Sequence, residues 1–330
     1  MEEYMKKLLV VMLVLVVVSA AFAGGKGQAA TPAGGKTITI GFAQCKADES
    51  DWRMANTRSM LNAFNKPGYR LILSDSNNDA AKQVADVQGF IDQEFDYIVI
   101  AAVNMDGWTT VLQNAKNAKI PVILVDRSMN VTEDLYTCWV GPDFKVEGEK
   151  ATAWIKKAFG NEPVNVVNLQ GQLGAGAQVG RSAALDDAVK ENGWSLVARQ
   201  TGDWGTDTAK RVMTSWIQQY GDRINCVYAE NDNMADGAIQ ALREAGKKVG
   251  KLKNGGVAII SFDANRPYLQ MTLDGLIDCN VECNPLHGPK VFEIIEMLES
   301  GRQPQKRMLV EEAAFFADTI TQTIIDARQY

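Results

Sequence analysis

From Lys36 onward, short apolar runs alternate with longer stretches in which apolar positions recur every third or fourth residue. The runs cover 37–42, 71–73, 97–100 and 121–125, then 164–167, 195–198, 226–228 and 257–260. The stretches between them predict helices over about 52–64, 80–91, 108–118, 177–190, 208–220 and 234–244. Unbroken apolar runs, rather than alternating ones, fit strands covered on both faces of a parallel sheet. Strands separated by helices are βαβ units, and two sets of them predict an α/β protein with two doubly wound parallel-sheet lobes. Ligands of such sheets bind beyond the carboxyl ends of the strands, so the residues at those ends carry the functional question.

Polar residues gather there. The segment from Gln44 to Arg53, with Glu49, Ser50 and Trp52, follows the first run, and Asp126-Arg127 ends the fourth. Gln170 and then Arg181 follow the fifth, and Asp203-Trp204 come soon after the sixth. Glu230-Asn231-Asp232 close the seventh and Asp263 the eighth. Taken singly, each has a structural reading, because Asp and Asn cap helices and an Asp-Arg pair makes a salt bridge. Their joint placement at one edge of both sheets points to a site. Carboxylates accept hydrogen bonds, arginine donates several in a fixed fork, asparagine does both, and indoles offer flat apolar faces. A sugar is the complement, with a ring of hydroxyls and a C–H face that lies well on an aromatic ring.

Charge narrows the classes. With 34 Lys and Arg against 40 Asp and Glu, the 330-residue chain carries −6, unlike a protein built to hold a phosphate backbone. His287 is the single histidine, which argues against a His-ligated metal cluster and a Ser–His–Asp enzyme. It stands beside Pro285, Gly288 and Pro289 and reads as a cap or loop residue. No catalytic residue, metal ligand or cofactor is assigned. The Gly-rich loop 171–180 resembles a dinucleotide turn, but from Gly174 it reads G-x-G-x-x-x-G, one residue too long. It is read as a loop that lets the chain approach a ligand or partner closely. Trp108, Trp139, Trp154, Trp194 and Trp216 are read as core.

Lys6-Lys7, the apolar run from Leu8 to Val18, and Ala21 and Ala23 form the three parts of a secretory signal peptide. Residues 1–23 are therefore expected to be removed, 24–35 to form a Gly/Ala-rich tether, and the product to be periplasmic. Of Cys45, Cys138, Cys226, Cys279 and Cys283, most are read as small buried apolar residues, with room for one disulfide. Cys279 and Cys283 share one predicted strand and stand too far apart to pair, about 13 Å at strand rise.

The chain resembles the periplasmic sugar-binding proteins of the ribose-binding type, the receptors of ABC importers, from Lys36 to its end. The likeness rests on Gly41-Phe42-Ala43-Gln44, Glu49-Ser50-Asp51-Trp52-Arg53, Asp126-Arg127-Ser128 and Leu169-Gln170-Gly171, and continues through Val227 to Met234 and Gly237 to Ala241. The Glu-Ser-x-Trp-Arg segment is narrower and points to the galactofuranose-binding branch. The resemblance implies a type I periplasmic binding protein fold with three hinge crossings. They fall near 141–144, 282–284 and 308–310, which gives lobe one as 36–142 plus 284–308 and lobe two as 143–283 plus 309–330. It implies that Glu49, Ser50, Trp52, Arg53, Asp126 and Arg127 reach a monosaccharide from lobe one. Arg181, Asn231, Asp263 and a stacking Trp204 would reach it from lobe two, with Glu282 near the hinge. Asp143-Phe144 departs from the usual Asp-Asn, and the usual partner of the cysteine at Cys226 is replaced near Val164–Asn165. Permease subunits in the inner membrane are the implied protein partners of a monomer that binds no nucleic acid. The alternatives are a receptor for another pentose or hexose and an exported carbohydrate-active enzyme. A sugar-responsive regulator would need a DNA-binding headpiece where the signal peptide stands.

Overall fold

The structure, a computed structural model, describes residues 36–330; the expected signal peptide (1–23) and tether (24–35) lie outside them. In chain order the elements are β1 (Ile38–Gln44), α1 (Asp51–Ala63), β2 (Tyr69–Asp75), α2 (Ala80–Asp92), β3 (Tyr97–Ile100), α3 (Thr109–Asn117), β4 (Val122–Val125) and β5 (Cys138–Gly141). Then come α4 (Phe144–Phe159), β6 (Asn165–Gln170), α5 (Gly176–Asn192), β7 (Ser195–Thr201), α6 (Thr206–Tyr220), β8 (Cys226–Ala229), α7 (Asp232–Glu244), the one-turn α8 (Lys251–Asn254) and β9 (Ala258–Asp263). The last are α9 (Arg266–Leu273), β10 (Cys279–Glu282), α10 (Gly288–Glu299), β11 (Arg307–Leu309), β12 (Ala314–Phe316) and α11 (Gln322–Ala327).

These strands form two six-stranded sheets of one design, ordered β11-β5-β4-β3-β1-β2 and β12-β10-β9-β8-β6-β7. The predicted two-lobed, doubly wound α/β architecture is what the chain adopts. Every pairing is parallel except that of β12 with β10. The apolar runs explain it. In β3, β4, β8 and β9 every residue is buried, so side chains on both faces need helices over them. Successive strand residues feed opposite cores: Ile98 and Ile100 pack with Phe90 and Leu112, and Tyr97 and Val99 with Met60, Val291 and Ile295. The five indoles read as core are packed in, Trp194 only partly. All five cysteines are buried and free, so no disulfide forms.

The chain passes between the sheets where β5 leads into α4, where β10 leads into α10, and between β11 and β12. Helix α10 returns to the first sheet and lies so close on α1 that a Cβ at Gly288 would sit 2.1 Å from the Ser59 carbonyl oxygen. Two of these passages meet: the Glu282 N–H donates to the Ala313 carbonyl at 2.9 Å, the Ala313 N–H donates to Glu282 Oε2 at 3.0 Å, and the Asn284 N–H donates to Glu312 Oε1 at 2.7 Å.

Candidate functional site

Carboxyl ends of strands from both sheets face one cavity. Its wall contains Glu49, Ser50, Trp52, Arg53, Asp126, Arg127, Arg181, Trp204, Asn231 and Asp263. All the sequence candidates are thus brought together except Glu282. Phe144, Ala177 and Cys283 complete the wall. No rule about polar strand ends would have selected those three.

The first sheet supplies a box of two acids and two arginines. Arg53 Nη2 lies 2.5 Å from Asp126 Oδ2, and Arg127 Nη2 lies 2.8 Å from Glu49 Oε2. The second diagonal is looser, with Arg53 Nε 3.6 Å from Glu49 and Arg127 Nε 3.8 Å from Asp126. Burial alone would raise the Asp126 pKa, but Arg53 and Arg127, with a smaller contribution from His287, hold it below the usual value. Asp126 is therefore a charged acceptor.

The second sheet repeats the motif less tightly. Arg181 reaches Asp263 Oδ1 only at 3.6 Å, because its Nε is held by Glu147 Oε2 at 2.6 Å and its Nη1 by the Glu230 carbonyl. Burial pushes the Asp263 pKa well above the ordinary carboxylate value; Arg181 offsets part of this, and Asp232, Glu147 and Asp126 add to it. Asp126 and Asp263 therefore differ in character, because the arginine facing Asp263 is committed elsewhere.

Two indoles close the wall from opposite sheets. Trp52 carries the Arg53 guanidinium over its ring at 4.5 Å, and Arg127 stands 5.7 Å from the Trp204 ring. Trp204 packs against the end of β6, where a Cβ on Gly171 would fall 2.0 Å from its ring. Asn231 caps α7 through the Met234 N–H and donates to the Trp204 carbonyl at 3.1 Å, so its amide positions Trp204. Ser50 likewise caps α1 by accepting from the Arg53 N–H. The structural reading of these two residues is realised even though both line the cavity.

Asp126, Trp204 and Asp263 all have left-handed backbone, with φ of 62°, 62° and 99°. Such conformations cost of order 1–3 kcal/mol each and gather at functional sites. Four polar atoms on wall residues are buried without hydrogen-bond partners: Glu49 Oε1, Arg53 Nε, Arg127 Nε and Trp204 Nε1. One acceptor and three donors are thus available to a ligand rich in hydroxyls.

Glu282 is a correction to the expected set. It points away from the cavity and binds Arg328, the Tyr330 hydroxyl at 2.8 Å and the Ala313 N–H at 3.0 Å. Alternation along the chain is the reason, since its neighbour Cys283 takes the cavity side. His287 starts α10 but makes no side-chain cap. It is buried, its Nδ1 lies 3.2 Å from Asn56 Nδ2, and burial lowers its pKa to about 4. Among the described residues, Glu147, Cys283 and Glu312 have potential metal-ligand atoms within 4.8 Å of one another. The Arg181 guanidinium already neutralises Glu147, so the group is an acid cluster with its own cation. The loop 171–180 does approach the other lobe: the Gly174 carbonyl accepts from the Met105 N–H at 3.3 Å, and a Cβ on Gly176 would meet the Ser128 nitrogen at 3.5 Å.

Two like sheets facing one polar cavity across their strand ends define a two-lobed small-molecule binding protein. Residues 40–287 match the profile of the periplasmic binding protein domain, and the chain belongs to that family. It is 35% identical over 287 residues to the galactofuranose-binding protein YtfQ of Escherichia coli, covering 86% of this chain and 89% of that protein. A Mycobacterium smegmatis protein solved with β-D-fucofuranose superposes with a TM-score of 0.80 at 36% identity, over 85% of this chain and 92% of the other. The binding component of the arabinose ABC transporter from Shewanella sp. ANA-3, bound to L-arabinofuranose, gives 0.81 at 31% identity, over 88% and 96%.

Proposed function

We propose that this chain is the exported receptor of an ABC sugar importer and holds one monosaccharide in furanose form, galactofuranose before others. The observation that carries this is the cavity wall. Paired acids and arginines, two indoles from opposite lobes and four unpartnered polar atoms complement a small polyhydroxylated ring. The relatives named for galactofuranose, fucofuranose and arabinofuranose agree in ring form and differ in substituents.

In this reading the lobes are 36–142 with 284–308 and 143–283 with 309–330, and sugar is taken up as they close on their three connections. Glu49, Asp126 and Asp263 hold hydroxyls, Arg53, Arg127 and Arg181 donate to ring and hydroxyl oxygens, and Trp52 and Trp204 cover the ring. Ser50 and Asn231 keep the helix starts and Trp204 in place. Residues 1–23 direct export to the periplasm and are removed, and the mature protein delivers its sugar, unchanged, as a monomer to the importer's permease.

The deciding experiment is mass spectrometry of the small molecule released from the purified protein by gentle denaturation, followed by calorimetry against a sugar panel. An aldohexose or aldopentose recovered intact is expected. Ribose or glucopyranose binding about tenfold tighter than galactofuranose, a gap of about 1.4 kcal/mol, would overturn the choice of sugar. Turnover of the sugar by the protein would overturn the receptor.

A further inference from the structure

Three side chains outside the cavity wall join the two lobes directly. Asp51, the first residue of α1, accepts through one oxygen, Oδ2, from the Tyr268 hydroxyl on α9 at 2.9 Å and from Asn233 Nδ2 on α7 at 3.2 Å. The Asp51 N–H donates to Asn233 Oδ1 at 3.3 Å, and Asn233 Nδ2 also lies 3.2 Å from the Tyr268 hydroxyl. The triangle is closed, with every pair of its members in hydrogen-bond contact. Tyr268 is buried in the core of the second sheet, while Asp51 and Asn233 are half-buried. Ser50 and Trp52, on either side of Asp51, line the cavity; Asp51, Asn233 and Tyr268 do not.

We propose that Asp51, Asn233 and Tyr268 form a latch that holds the lobes closed and sets how long a sugar stays bound, without choosing which sugar. The physical argument is a difference between two states. Once the lobes part, the carboxylate, amide and hydroxyl return to water and lose only each other. When the lobes meet, a charged acceptor gains two donors in a shielded place, where such bonds are stronger than neutral ones. Closure also drives Ser50, Trp52 and Arg53 against the second lobe, because they share the first turn of α1 with Asp51. These are positioning residues, and their effect must be the same for every ligand. This inference rests on the receptor reading above.

The test is Tyr268→Phe, which removes one hydroxyl from a buried ring, with Asn233→Ala as a second variant should the first not fold. Dissociation and association of D-galactose, L-arabinose and D-fructose are followed by indole fluorescence. Loss of a hydrogen bond to a charged group predicts dissociation about tenfold faster. That factor is expected to be equal for each sugar that the wild type retains, with association unchanged. Unchanged dissociation overturns the latch, and so does a factor that differs from sugar to sugar, which would make Tyr268 a ligand contact. If none of the three sugars binds the wild type, it is the receptor reading that fails. The latch is then read from distance labels on Asn65→Cys and Ala245→Cys, exposed positions on the two lobes. Tyr268→Phe is expected to lengthen the mean separation in ligand-free protein, and identical distance distributions overturn the latch.

Discussion

Asp126 and Asp263 hold the same place in the two sheets. Each stands at the carboxyl end of the third strand in its sheet order, β4 or β9. Each has left-handed backbone and faces an arginine from the helix after the fifth strand in that order, Arg53 after β1 or Arg181 after β6. The repeat is one of position and not of strength, with contacts of 2.5 Å and 3.6 Å. The difference separates what holds the fold from what is left for a ligand.

Asp126→Ala leaves the buried Arg53 without its short partner, and breaking such a pair costs about 3–5 kcal/mol. Urea denaturation of the ligand-free variant is expected to show that loss.

Asp263→Asn keeps a residue that tolerates the left-handed backbone and leaves Arg181 paired with Glu147. Sugar binding is expected to weaken by about 1–3 kcal/mol in calorimetry while the urea midpoint stays in place. Unchanged affinity would remove Asp263 from the site.

Gly171→Ala drives a methyl group into the Trp204 ring. The indole must shift off the β6 end, and affinity is expected to fall by about tenfold or more, equivalent to about 1.4 kcal/mol. Quenching of Trp204 fluorescence by sugar should fall with it.

His287 gives a pH dependence with a definite sign. Its folded pKa of about 4 lies below the ordinary 6.5, so the buried neutral ring adds stability above pH 6.5 that is lost as pH falls toward 4. Integrated over that interval the loss is about 3 kcal/mol. His287→Gln is expected to flatten the stability profile between pH 6.5 and 4, and an unchanged slope in that window would reject the assignment.

Sugar binding should also compact the molecule. Small-angle scattering is expected to give a smaller radius of gyration with bound sugar than without; equal radii would reject closure between the lobes.

Much of this was legible in the chain. Tyr97–Ile100 is a strand with the bounds that its apolar run predicts, and the charged pair ending the 121–125 run does stand at the cavity. Strand β2 extends beyond its predicted core to Tyr69 and Asp75, because a half-buried strand carries polar residues that an apolar run does not register. Cys283, Phe144 and Ala177 line the cavity through their position alone. Glu282 was misread because a single step along the chain exchanges one side for the other, and its partners Arg328 and Tyr330 lie at the far end of the sequence. Left-handed backbone at Trp204 has no signature in residue type.

The five unpaired thiols have a practical consequence. Four are buried away from the cavity and Cys283 is buried in its wall, and all five are free, so the native fold contains no cross-link that an oxidant must form or a reductant can cut. Folding yield and melting temperature should be indifferent to dithiothreitol. The protein can be prepared under reducing conditions as readily as under oxidising ones, and one cysteine added at the surface becomes a handle for a reporter dye.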